Sequence, residues 1–337
     1  MIAETISAFM QGWPGPWVED DLFSTHDPEV VGRAFADFCL TELGVPIAAP
    51  LFYEASLGCV AGLELADGRR VVVKVHSATS THASLLATTS IRATLAARGF
   101  PAPSVLCEPR ALGRTIATVE EFVDEGDYRD AHEPPIRAAL AEGLARIVAL
   151  AADLPRGGLG GEPATLPPDH LWPRPHHRMF DFAATRTGTE WIDELAARAK
   201  ERLASRAQAV IGHTDWTVKH CRFVGDELRI VYDWDSLGLM PEPELVGHAA
   251  AHFTTTCRLE VPLIPSPGEA RSFVAEYEQA RGREFDAAER RRLAAQAVYS
   301  LAYGARCEAC GDPSATSFPR GSQRDGLARW GEEYFDL

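Results

Sequence analysis

Asp215 and Asp233, with the imidazoles of His213 and His220, fall within one short stretch of this chain. Ile211-Gly-His-Thr-Asp-Trp-Thr-Val-Lys-His220 is followed by Cys221-Arg-Phe-Val224 and then by Val231-Tyr-Asp-Trp-Asp235. Taken alone, Asp215 reads equally well as a turn or capping residue, and an Asp-Xaa-Asp such as 233–235 is common on protein surfaces. The arrangement is more informative than its parts. Residues 221–224 and 228–232 have the composition of two short strands joined by Gly225-Asp226. Asp215 stands on the loop before that hairpin, and Asp233 stands at its exit. A hairpin returns the chain to its start, so the two loops meet at one edge and two carboxylates converge with an imidazole. Phosphoryl transfer uses such a set: one carboxylate beside the nucleophilic hydroxyl, and oxygen or nitrogen ligands for Mg²⁺.

The elements that position these residues can be read from periodicity and punctuation. Residues 1–45 read as a helical leader with Trp13 and Trp17, in which Asp27-Pro28 opens a helix reaching about Leu43. Residues 50–76 read as strands, with Asp67-Gly68 as the hairpin turn between Gly62–Leu65 and Val71–Val75. Helical spacing over 81–98 (Leu85, Ile91, Leu95) stops at Gly99, with Pro101 beyond. Residues 114–123 alternate like a strand. The second half is mainly helical, at 135–152, 190–208, 243–257, 267–281 and 286–305. A Pro- and Gly-rich loop spans 153–178, and 311–325 is a further loop before a short tail. The expected class is α+β, with a β-rich first part and a helical second part.

The catalytic stretch resembles that of the aminoglycoside phosphotransferase and choline kinase-like family. Members carry His-Xaa-Asp with an Asn five positions after the Asp, then a hydrophobic strand pair and an Asp-Trp or Asp-Phe. His213 and Asp215 match the first motif, and Asp233-Trp234 matches the second. His220 stands where the Asn is usual, as it does in the macrolide phosphotransferase branch. The likeness extends over about residues 50–305. It takes in Lys74 in Val-Val-Val-Lys-Val, the phrase Gly99-Phe-Pro-Ala-Pro103, Glu120-Glu-Phe-Val-Asp-Glu-Gly126, and Tyr277 and Gly282 near a helix end.

What the resemblance implies is a protein-kinase-like two-lobed fold: an N-lobe at 46–125, a mainly helical C-lobe at 126–337, and ATP with Mg²⁺ in the cleft. GTP is an alternative donor. Asp215 would orient the acceptor hydroxyl or take its proton. Asp233 and His220 would hold Mg²⁺, and Lys74 would contact the α- and β-phosphates. Ser56 and Gly58 would lie in the loop over the phosphates, and the main chain from Glu121 to Val123 would meet adenine. The acceptor would be a small hydroxylated molecule, with antibiotics among the candidates. For Lys74 the competing reading is an edge-strand lysine that discourages aggregation.

Two departures from the family pattern open an alternative, a catalytically impaired pseudokinase or nucleotide-binding module. The first is His220. The second is the helix after Lys74: kinases of this shape place a Glu there, but Thr88 falls near that position, and no Asp or Glu occurs from Val75 through Cys107. A strand lysine without such a partner needs another anion. Retention of Lys74, Asp215 and Asp233 together favours the enzyme.

Bulk composition sets the remaining bounds. The chain has 337 residues, 46% hydrophobic, and a net charge of −15, which speaks against a nucleic-acid partner. An acidic balance suits either a cationic substrate or simple solubility; Glu242, Glu244 and Glu260 are the carboxylates that could receive an amine, or could simply stabilise helices. No apolar run approaches the roughly 20 residues of a membrane helix. The first 21 residues carry Glu4, Glu19, Asp20 and Asp21 and no Lys or Arg, unlike a secretory signal. Seven scattered cysteines read as reduced thiols in a cytoplasm rather than a disulfide framework. Cys307-Glu-Ala-Cys310 lacks a second ligand pair for zinc and reads as helix packing. The oligomeric state is left open.

Overall fold

Alternation in Arg70-Val-Val-Val-Lys-Val75 puts Val71, Val73 and Val75 on one face, each fully buried, and Val72 and Lys74 on the other, half-buried. That strand lies at the centre of the sheet that organises the first half of the computed structural model. The structure describes residues 2–12, 15, 17–160, 170–203 and 207–337. Trp13 and part of the 153–178 segment lie outside the described residues.

The chain divides into two compact units, residues 1–97 with 102–124, and residues 98–101 with 125–337. In the first unit, helices α1 (Ile2–Gln11), α2 (Trp17–Phe23) and α3 (Pro28–Phe38) precede strands β1 (Ile47–Ala55), β2 (Cys59–Leu65) and β3 (Arg70–Val75). Helix α4 (His82–Ala97) and strands β4 (Val105–Leu112) and β5 (Thr115–Glu121) follow. All pairings are antiparallel, in the order β1-β2-β3-β5-β4. The edge-strand reading of Lys74 therefore fails: β3 is flanked on both sides, with Lys74 opposite Val60 and Thr118.

The helical leader is not set apart from this sheet. Ile6, Leu22, Val31 and Phe35 share one core with Tyr53, Leu63 and Val73. Asp27 caps α3 by accepting from the Glu29 N–H, and the buried Glu19 accepts from Tyr53 Oη at 2.8 Å. Sequence reading passed over β4, whose Cys107-Glu-Pro-Arg110 breaks the alternation. Pro109 is tolerated because β4 is an edge strand.

In the second unit α5 (Pro134–Leu150) and α6 (Glu190–Leu203) precede four short strands, β6 (Ala209–His213), β7 (Cys221–Val224), β8 (Glu227–Val231) and β9 (Leu237–Pro241). Helices α7 (Glu242–His252), α8 (Pro267–Arg281), α9 (Ala287–Ala309) and α10 (Gln323–Trp330) complete it. The expected tail is thus partly helical. Complete capping boxes start α8 at Ser266 and α9 at Asp286. Strands β6 and β9 were not anticipated; five residues each, with Gly and Pro among them, they carry no periodic signal. The Cys307/Cys310 pair ends α9, and all seven cysteines are free thiols. Among the described residues no helix is long and apolar enough to cross a membrane.

Helices α7 and α9 cross at Gly247, where an added Cβ would stand 2.1 Å from the Leu293 carbonyl oxygen. Backbone cannot yield as a side-chain tip can. Gly247→Ala is expected to lower the unfolding free energy by about 3 kcal/mol, read as a shifted urea midpoint. An unchanged midpoint would mean that this crossing is not close-packed.

Candidate active site

The loops carrying Asp215 and Asp233 are each held between two strands, and the strands pair with one another. Strand β6 enters the first loop and pairs with β9, which leaves the second, bringing His213 opposite Leu237. Strand β7 leaves the first loop and pairs with β8, which enters the second, bringing Cys221 opposite Val231. Between the ladders, Thr214 donates from its N–H and its hydroxyl to the Ser236 carbonyl at 2.7 and 2.8 Å. The Tyr232 N–H donates to the His220 carbonyl at 2.8 Å. The expected meeting of the two loops is found, and it rests on twice the pairing that the hairpin alone would supply.

At this junction Asp215 Oδ2 lies 2.9 Å from His220 Nε2 and 3.0 Å from Lys219 Nζ. His220 Nε2 is 3.6 Å from Asp233 Oδ2, so the imidazole stands between the two carboxylates. Asp233 adopts a left-handed conformation (φ 58°, ψ 47°), rare for a residue with a side chain and found where a site fixes the backbone. Ser236 donates its hydroxyl to Asp233 Oδ2 at 3.2 Å. Asp215, His220 and Asp233 can each direct one ligand atom to a common point, with those atoms all within 4.8 Å of one another. Carboxylate oxygens with one imidazole nitrogen fit a divalent cation, although Mg²⁺ favours oxygen.

His213, the third motif residue, has a different part. It is fully buried, donates from Nε2 to the Tyr232 carbonyl at 3.2 Å, and packs edge-on to Trp216 and Trp234. It ties the first loop to the residue before Asp233 and does not face solvent. Phe100, from the Gly99–Pro103 phrase, packs edge-on against Trp234 with ring centres 5.7 Å apart, and Pro101 accepts from the Val231 N–H.

Burial opposes the charge on Asp215, but the His220 hydrogen bond and the Lys219 charge prevail and hold its carboxyl well below the usual carboxylate range. It is therefore ionised and can only accept hydrogen bonds.

In the first unit, Gly58 permits a close approach: a Cβ there would meet the Val75 carbonyl oxygen at 2.3 Å. The turn through Ser56 and Gly58 consequently lies at the end of the strand that carries Lys74. The Glu121 and Phe122 N–H groups donate to the Ser104 and Arg70 carbonyls, and Val123 follows. The helix without a carboxylate supplies Arg92 instead, buried and paired with Glu120 on β5. Glu120 lies opposite Val72 and shares the sheet face of Lys74. Sequence reasoning missed Lys219, Ser236 and this pair. Lys219 was detectable, four residues after Asp215.

No curated protein sequence matches the chain. Residues 63–295, more than half of it, match the model of the phosphotransferase enzyme family, APH. The chain belongs to this phosphotransferase family. Solved structures agree on the fold. An amicoumacin kinase, in complex with AMP-PNP, Ca²⁺ and amicoumacin, superposes with a TM-score of 0.56 at 11% identity, covering 87% of this chain and 88% of that one. An aminoglycoside phosphotransferase from Alicyclobacillus acidocaldarius gives 0.51 at 14% identity, with 88% and 92% covered. A spectinomycin phosphotransferase, in complex with ADP and spectinomycin, gives 0.51 at 10% identity, with 90% and 93% covered. The five-stranded antiparallel sheet followed by a mainly helical region is the kinase-like fold of this phosphotransferase family.

Burial, with the neighbouring imidazoles adding to it, pushes His213 down to about 4 and His252 down to about 3. Ordinary histidine titrates near 6.5. Between these values the unfolded chain binds more protons than the native one, so stability is full above about pH 6.5 and falls as the pH drops. Each group contributes a slope approaching about 1.4 kcal/mol per pH unit. Urea titrations from pH 7 to 4.5 should show this fall, and His252→Gln should make it shallower. A pH-independent stability over that range would contradict the burial of both rings.

Proposed function

We propose that this phosphotransferase moves the γ-phosphate of ATP onto a hydroxyl of a small molecule. The observation that carries the reading is the convergence of Asp215, His220 and Asp233 within 4.8 Å at the junction of two short ladders. His220 and Asp233 would hold Mg²⁺, which when bound neutralises charge on the phosphate oxygens. Lys74 would meet the α- and β-phosphates, Ser56 and Gly58 would cover them, and the main chain at Glu121 and Val123 would receive the adenine. The antibiotic complexes of the structural neighbours keep antibiotics among the candidate acceptors.

Asp215 acts on the acceptor. A carboxylate held ionised by Lys219, at 3.0 Å, is a weak base but a dependable hydrogen-bond acceptor. It fixes the attacking hydroxyl in line with the phosphoryl group and takes its proton late, as the bond to phosphorus forms. Such timing suits a loose transition state, in which the nucleophile needs positioning more than early deprotonation. The reading as an impaired module gains nothing from the Asn-to-His exchange, because the imidazole stands among the carboxylates with a ligand atom to offer.

The two carboxylate roles separate by mutation. Asp215→Asn should lower turnover of any identified acceptor by roughly 10²–10⁴-fold and leave Mg²⁺-dependent ATP binding intact in a thermal-shift titration. Asp233→Asn and His220→Ala should weaken that binding, and His220→Asn should retain it. Normal turnover by Asp215→Asn would remove the catalytic assignment. A wild-type protein that no Mg·ATP concentration stabilises would remove the nucleotide reading altogether.

A further inference from the structure

Lys219 lies between the motif residues Asp215 and His220, and its ammonium group reaches the same carboxylate oxygen as the imidazole, Asp215 Oδ2, at 3.0 Å. On a helix, an aspartate and a lysine at this spacing often make an exposed ion pair of little consequence. Here the intervening chain is not an α-helix. It is a turn followed by the short 3₁₀ segment Val218–His220. That segment is fixed from outside. The Val218 and Lys219 N–H groups donate to the Phe253 and Thr255 carbonyls at 2.9 and 3.3 Å. The buried Trp216 donates its indole N–H to the Leu140 carbonyl at 3.0 Å. Backbone pairing, rather than the ion pair itself, brings the two side chains together.

Hydrogen-bonding capacity remains on both partners. Among the described residues nothing bonds Asp215 Oδ1, since the contacts of Lys219 and His220 both fall on Oδ2. An ammonium group has three N–H donors, and among the described residues Asp215 alone accepts from Lys219. The Lys219 and Asp215 side chains are 32% and 36% exposed, so a ligand can reach them. The carboxylate thus has one oxygen open to a donor. Beside its other oxygen stands an ammonium group with donors open to an acceptor. An incoming hydroxyl is the donor that suits Oδ1. The acceptor that suits the ammonium group is an anion adjoining that hydroxyl. In phosphoryl transfer the adjoining anion is the phosphoryl group, roughly 3 Å from its nucleophile at attack.

We propose that Lys219 is a catalytic residue, donating hydrogen bonds to the phosphoryl group in flight while Asp215 holds the acceptor hydroxyl. The proposal rests on the phosphotransferase reading and adds a residue to it. In the step, the bond from the γ-phosphorus to the β–γ bridging oxygen breaks and leaves its electron pair on ADP. The acceptor oxygen bonds to phosphorus, and its proton passes to Asp215 Oδ1. Lys219 exchanges no proton. It meets the charge on the transferring oxygens from the acceptor side, where the loss of one fixed donor costs roughly 10²–10³-fold in rate.

Fluoroaluminate with Mg·ADP imitates the group in flight and needs no identified acceptor, so calorimetric titration of the full chain tests the contact. Fluoroaluminate should tighten Mg·ADP binding to the wild type by at least about 10²-fold. Lys219→Met should lose at least about tenfold of that gain. Its Mg·AMP-PNP affinity, a check that the site is folded, should stay within roughly threefold of wild type. Asp215→Asn, which keeps Lys219, should retain most of the gain. The proposal is overturned by a full gain in Lys219→Met, by no gain in the wild type, or by equal losses in the two variants, which would mean that Lys219 acts only through Asp215. In each of these cases a wild type that binds Mg·ADP leaves the phosphotransferase reading standing. A wild type that binds no Mg·ADP removes that reading, and the proposal with it.

Discussion

The site depends on one constraint: the two loops that carry Asp215 and Asp233 are closed on both sides by short antiparallel ladders. Neither ladder would be stable alone, since two-stranded ribbons of four or five residues are marginal in water. They persist because their inward faces are buried. Ile211, Cys221, Phe223, Val231 and Leu237 are all nearly inaccessible. Clamping the loops removes the freedom that Asp215 and Asp233 would otherwise have, and it supports a left-handed backbone at Asp233 that an open loop would abandon. His213 adds the cross-tie from inside, from a position where only the neutral ring is tolerated.

Charge at this junction is balanced locally. Lys219 and His220 both reach Asp215. The net charge of −15 is therefore a property of the chain as a whole and gives no guide to the field at the carboxylate. Glutamates on α7 that could pass for an amine-binding set are held by arginines from α8 and α9. These arginine partners lie 39 and 48 residues away in sequence.

In the first unit the family's usual arrangement of charge is altered. The helix after β3 carries a buried Arg92, and the carboxylate that meets it belongs to β5. Glu120 thereby occupies the sheet face that Lys74 shares, two residues along β5 from Thr118, the partner of Lys74. The absence of acidic residues from Val75 to Cys107 is thus compatible with a carboxylate on that face, brought there by strand pairing rather than by the helix.

Strong local signals made much of this protein legible from sequence. Alternation in Val71–Val75, the Asp27-Pro28 helix start and the short motifs around Lys74, Asp215 and Asp233 are properties of neighbouring residues and survive without a structure. The α+β class followed from them, and the kinase-like fold followed from the family resemblance that those motifs carry. Strands β6 and β9 did not, because five residues carry too little periodicity and their stability comes from pairing with a distant segment. The contacts of Lys219 and Ser236 at the junction and the arginine partners of Glu242 and Glu244 were likewise decided by tertiary structure. Each depends on which side chains meet in space, and burial and pairing between residues far apart in sequence leave no mark in the local pattern.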